Sequence, residues 1–97
     1  MSKGKDLFAR ISSYLDLPPE ALPGGFSLLL SGERELCVRG RAIICSYHDK
    51  RIVISVGKHM LCVRGESLFC AELSSEKMLI SGTITGIFFL TEGEDAT

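Results

Sequence analysis

Residues 57–82 read Gly57-Lys-His-Met-Leu-Cys-Val-Arg-Gly65-Glu-Ser-Leu-Phe-Cys-Ala-Glu-Leu-Ser-Ser-Glu-Lys-Met-Leu-Ile-Ser-Gly82, and most of this stretch repeats what precedes it. The pentapeptide Leu-Cys-Val-Arg-Gly occurs at 36–40 and again at 61–65. Sixteen residues separate Gly40 from Gly57, and sixteen separate Gly65 from Gly82. The offset is 25 throughout, pairing Gly32 with Gly57 and Gly82, Cys37 with Cys62, Gly40 with Gly65 and Cys45 with Cys70. A third, partial copy, Gly82-Thr-Ile-Thr-Gly-Ile-Phe-Phe-Leu90, closes the series. Self-similarity at a fixed period is read before any motif, because residues that recur with a structural unit need no chemical explanation.

Working outward, the pattern on both sides of the glycines is that of strands. Leu36 and Val38 alternate with Glu35, Cys37 and Arg39, and Ile52, Ile54 and Val56 alternate with Val53 and Ser55. Strands are expected at 26–31, 35–39, 42–47, 52–56, 60–64, 67–72, 78–81 and 83–90, with polar turns at 48–51 and 74–77. Gly40, Gly65 and Gly82 are expected to mark bends, bulges or positive φ. Two architectures fit. One is an antiparallel β-meander bent at its glycines, with a 25-residue internal repeat. The other is a short three-faced β-solenoid. The meander is preferred, since a solenoid needs about three or more repeats to bury a continuous core.

The rest of the chain divides around this 26–90 β domain. Residues 1–17 form a polar lead and an amphipathic helix over 6–17, in which Leu7, Phe8, Ile11, Tyr14 and Leu15 share one face. Pro18-Pro19 stops that helix, and 18–25 is a linker. The helix is expected to dock on the sheet. Only Lys3, Lys5 and Arg10 give it positive charge, which argues against a membrane-surface role. Residues 91–97 read as a disordered acidic tail.

With 97 residues there is one domain and one modest core, and a net charge of -1 argues against a nucleic-acid binder. No export signal or bilayer-spanning run is visible, so a cytoplasmic protein with reduced thiols is expected. The four cysteines, Cys37, Cys45, Cys62 and Cys70, lack the C-x2-C knuckle of a zinc site, and the 25-residue offset accounts for their spacing. A metal site would need the two copies to bring all four together, or His48 or His59 to join them. Neither histidine lies in a nucleophile pattern, no acid–base pair can be assembled, and no enzyme or cofactor is implied. The glycines of the Arg-Gly echoes at 39–41 and 64–65 sit between strands rather than opening a helix, which is not a phosphate cradle, and Arg39, Arg41, Arg51 and Arg64 are read as a solvated strand face in preference to an edge that binds an acidic partner. Strands 42–47 and 83–90 are apolar on both faces, and one short helix cannot cover a whole second face. Ile44, Ile87 and Phe89 are therefore expected to be left over as an interaction patch that drives self-association.

The segments "LDLPPEAL", "LCVRGRAIICSY", "RIVISVG", "LCVRGESLFCAEL" and "MLISGTITGIFFL" together resemble the YabP/YqfC family of sporulation proteins, and its YqfC branch most, over roughly residues 11–90. The resemblance implies a non-enzymatic protein of the mother cell, acting at the forespore membrane or spore envelope. It also implies a membrane-bound sporulation partner of the YqfD type. The expected role is an assembly or adaptor module working by self-association or by binding that partner. The alternative is a metal- or redox-responsive protein using the four cysteines.

Overall fold

The computed structural model describes residues 18, 21 and 23–90. The expected helix at 6–17 and the expected acidic tail lie outside the described residues. A short 3-10 turn over Pro23–Gly25 leads into six strands: β1 (Ser27–Ser31), β2 (Glu35–Arg39), β3 (Ala42–Tyr47), β4 (Arg51–Val56), β5 (His59–Leu73) and β6 (Lys77–Leu90). Every pairing is antiparallel, in the order β1-β2-β6-β5-β4-β3. Equivalent residues are therefore not stacked in parallel coils, and the solenoid alternative finds no support. The order is also not a plain meander, because consecutive strands β2 and β3 are not neighbours.

That departure dictates the shape. Three strands separate β2 from β3, which in a flat sheet means about 19 Å. Arg39 and Ala42 are only three Cα steps apart, about 11 Å at most. The sheet must fold over. It does so along β5 and β6, whose hairpin carries β1 and β2 on its turn end and β3 and β4 on its open end. Two layers result, joined by the long strands and open at their edges.

Alternation now places the core. Leu36, Val38, Met78 and Ile80 point inward from the first layer. Ile52, Ile54, Val56, Leu61 and Val63 point inward from the second, and all nine lie in one buried cluster. Each large apolar side chain removed from water contributes about 1.5–3 kcal/mol. Leu68 and Ile84 close the cluster at the fold.

At the fold the strands approach too closely for side chains. A Cβ on Gly65 would fall inside the Thr83 carbonyl oxygen, and one on Gly82 would sit 2.6 Å from Ser67 O. Gly82 also has φ 129°, and Gly40, at the step from β2 to β3, has φ 132°. Ser67 takes φ 54°, the one non-glycine residue described with positive φ. The turns of the outer hairpins hold both bends. Lys50 O and Asp49 O accept from Gly65 N (3.1 Å) and Leu68 N (2.7 Å), while Arg34 O and Glu33 O accept from Gly82 N (3.1 Å) and Ile84 N (2.7 Å).

Bulges keep β5 and β6 continuous where breaks at Gly65 and Gly82 are expected from sequence. Thr85, Ala71 and Cys45 have no cross-strand partner, and the register shifts at each. A bulge exchanges the two faces of a strand. Alternation sets Ile84 on the face opposite Ile87 and Phe89, yet the bulge at Thr85 puts all three on the inner side.

Gly65→Ala is predicted to destabilise the domain by clearly more than the roughly 1 kcal/mol by which glycine and alanine differ at ordinary sites, because the clash is with backbone. Ser67→Gly should stay within about 1 kcal/mol of wild type, relief of the left-handed backbone offsetting glycine's greater unfolded freedom. Urea unfolding midpoints measure both.

Candidate interaction surface

The bend leaves four strand segments with a single sheet neighbour. These are β1, β3, residues 67–73 of β5 and residues 86–90 of β6. Among the described residues, all eight exposed large hydrophobics lie on them: Leu29 and Leu30, Ile43 and Tyr47, Phe69 and Leu73, Phe88 and Phe89. Strands β2 and β4, paired on both sides, contribute none. Of the four segments only 67–73 carries a charged residue, Glu72, and none carries proline. Charge and proline are the usual means by which sheet edges are kept from pairing with other chains.

Part of this edge surface is plugged. The β3–β4 turn covers the start of 67–73, and Cys70 N donates to Tyr47 Oη at 3.0 Å. The β1–β2 turn covers β6 only as far as Ile84. Residues 86–90 remain open, with Phe88 51% and Phe89 55% exposed. Phe89 stands at the rim of the inner face, opposite Leu61, in edge contact with His59 (ring centroids 5.7 Å apart). Phe26 completes a three-ring cluster there, at 5.6 Å from His59 and 6.2 Å from Phe89.

The three residues expected to be left over thus separate. Phe89 is exposed, whereas Ile44 and Ile87 are half-buried against the inner core and are corrected to core-supporting positions. Ile44 faces Ile54 across β3 and β4, and the bulge at Thr85 turns Ile87 inward beside Val63. Phe88, from the other face, takes their place in the exposed set. Alternation alone gives no signal for that exchange.

The cysteines are dispersed. Cys37 and Cys62 sit on the outward sides of different layers, Cys45 is exposed in a bulge, and Cys70 lies against the core. Among the described residues no three His, Cys, Asp or Glu side chains gather as a metal site requires. Nor do the arginines form one patch: Arg51 and Arg64 oppose each other across β4 and β5, while Arg39 faces Lys77 in the other layer. An open groove of 570 Å³ beside the bend is lined by Ser31, Arg34, Phe69 and Thr83, with Arg34 Nη1 donating to Thr83 Oγ1 at 3.2 Å. A second, of 450 Å³, is lined by Lys50, Arg51, Arg64 and Glu66. Neither groove is lined by a histidine or a cysteine.

What the geometry defines is a small open β-sheet protein whose distinctive surface is apolar edge. The family model for the YabP family matches residues 25–96, well over half of the chain, and the chain belongs to that family. The family is one of sporulation proteins and is not known as enzymatic. No curated protein and no solved structure matches.

The dispersed thiols carry a prediction of their own. Protein purified without chelator should hold far less than one zinc per chain by elemental analysis. Stoichiometric zinc lost on joint Cys37→Ser and Cys62→Ser substitution would instead make these thiols a metal site.

Proposed function

We propose that this protein is a non-enzymatic assembly module of sporulation that works by strand-edge association, with copies of itself or with a membrane-bound sporulation partner. The observation that supports this reading is the confinement, among the described residues, of exposed large hydrophobics to one-neighbour strand segments. An open edge offers unpaired N–H and C=O groups, and side chains beside it offer apolar area to the incoming strand. Residues 86–90, Gly-Ile-Phe-Phe-Leu, combine both and carry no charge.

The magnitudes favour a modest affinity. Two copies pairing through this segment would bury Phe88 and Phe89 from each. Both rings are already about half-buried, so the four side chains contribute of order 3–6 kcal/mol together, and each added ladder hydrogen bond about 1 kcal/mol. Association itself costs about 4–15 kcal/mol. Only at the low end of that cost does the balance approach the roughly 8 kcal/mol of micromolar binding, and nanomolar binding is out of reach, which suits a module that assembles when concentrated at a membrane or envelope layer. The likeness to the YqfC branch supports a partner of the YqfD type and a peripheral place at the forespore membrane. No helix among the described residues is long and apolar enough to cross a membrane.

Sedimentation equilibrium tests the association. Wild-type protein should be a dimer or larger at micromolar concentration, and Phe89→Glu or Phe88→Lys should shift it toward monomer while circular dichroism stays that of the folded sheet. A wild-type monomer at the highest soluble concentration would rule out self-association and leave the edge to a different protein. Unfolding of both variants would make these rings part of the core.

A further inference from the structure

The larger of the two grooves is built around the bend. Its floor is residues 81–83 of β6, and its walls are the end of the β1–β2 hairpin on one side and residues 67–69 of β5 on the other. Register places Ser31, Glu35, Ser81 and Phe69 in one row across four neighbouring strands. Three strand spacings make that row about 14 Å long. Leu36 and Ile80, the chain neighbours of Glu35 and Ser81, belong to the inner cluster, so the row points out of the core. The backbone of the floor is engaged on both sides. Ser81 pairs with Glu35 and with Phe69, Thr83 pairs with Glu66, and Gly82 N donates to Arg34 O. No strand can add there, so a ligand in this groove is recognised by side chains.

Those side chains are hydroxyls, one pair of opposite charges and one ring. Ser31, Ser67, Ser81 and Thr83 line the groove with hydroxyls, each able to donate and to accept. Arg34 Nη1 donates to Thr83 Oγ1 at 3.2 Å, which holds the guanidinium against the floor with further N–H donors in its fork. Glu35, the next residue, balances that charge, so the lining has no net charge with which to attract an ion. Phe69 forms the far end of the row and is 50% exposed. Bulges re-aim side chains beside binding sites. The one between Glu66 and Phe69 sets Ser67, with its left-handed φ of 54°, in the same wall as Phe69. We propose that this groove binds a neutral oligosaccharide, with one flat C–H face of a sugar ring laid on Phe69 and the ring hydroxyls held by Arg34, Glu35 and the groove serines. A carboxylate and a guanidinium can each engage two adjacent hydroxyls at once, which orients a sugar ring as a single contact does not. The ring of Phe69 takes the C–H face while the hydroxyls project sideways to the polar lining. The row is longer than one sugar ring, which favours a short chain over a monosaccharide. None of residues 86–90 takes part, so this site is independent of the association proposed above.

Cellotetraose and chitotetraose are suitable probes, because their all-equatorial rings leave the C–H faces open. Saturation-transfer NMR on the full-length chain should give signal at the sugar ring protons. Titration should shift the amides of Arg34, Phe69 and Thr83 and leave those of 86–90 in place, with a Kd of about 1 mM for so open a groove. Phe69→Ala should weaken sugar binding at least about tenfold. Glu35→Gln should weaken it about fivefold, through loss of charge-assisted hydrogen bonds, and should leave the fold intact because Glu35 is exposed. If Phe69→Ala does not fold, Glu35→Gln decides. No transfer to either sugar, shifts confined to residues outside the groove, or wild-type affinity in the folded variants would overturn the proposal. Shifts of the same amides by inorganic phosphate, equal to those from the sugars, would make this a site for anions and overturn it too.

Discussion

The close approach of backbone at the bend of β5 and β6, Gly65 against Thr83 and Gly82 against Ser67, is the constraint from which the rest follows. The β5–β6 hairpin must fold at this point, because the two residues joining β2 to β3 cannot cross a flat six-stranded sheet. Folding it brings two apolar faces together and makes a core from strands that would otherwise present one greasy side to water. The bend is not left to glycine alone. Four backbone N–H groups that the distorted ladder would leave unpaired, those of Gly65, Leu68, Gly82 and Ile84, are taken up by carbonyls of the two outer turns. Buried unpaired amides of this kind cost about 1–3 kcal/mol each, so the turns and the bend stabilise one another.

The same bend determines the surface. A long strand that changes layers halfway is paired on both sides only along part of its length, and the remainder becomes edge. Residues 67–73 of β5 and 86–90 of β6 are such remainders, and they join β1 and β3 as one-neighbour segments. That, among the described residues, large hydrophobics are exposed on these segments and on no others links fold to family context. In a member of the YabP family with no catalytic constellation among its described residues, apolar sheet edge is the feature with association chemistry to offer.

Much of this was legible in the residues. Alternation located β2 and β4 nearly to the residue, the polar groups at 48–51 and 74–77 marked hairpin turns, and the spaced glycines fell where the backbone bends or turns. The order of strands was not legible, since Gly40-Arg41 reads as a local bend and gives no hint that the chain steps between layers. Face assignment failed where bulges intervene. Cys45 and Thr85 look like ordinary members of their strands, yet each is an extra residue that exchanges inside for outside, and Ile87 was misplaced for that reason. The 25-residue offset likewise does not carry through to environment. Cys45 is exposed and Cys70 lies against the core, and where the earlier stretch forms separate strands β2 and β3, the later one forms a single strand, β5.

Native-state amide hydrogen exchange at Gly65, Leu68, Gly82 and Ile84 tests most directly whether the clamped bend holds the fold together. If it does, these four amides exchange only through global unfolding, with protection equal to that of Ile54 and Leu61 in the central strands. Exchange at the rate of the exposed turns, while Ile54 and Leu61 stay protected, would show that the bend opens on its own and that the core does not depend on it.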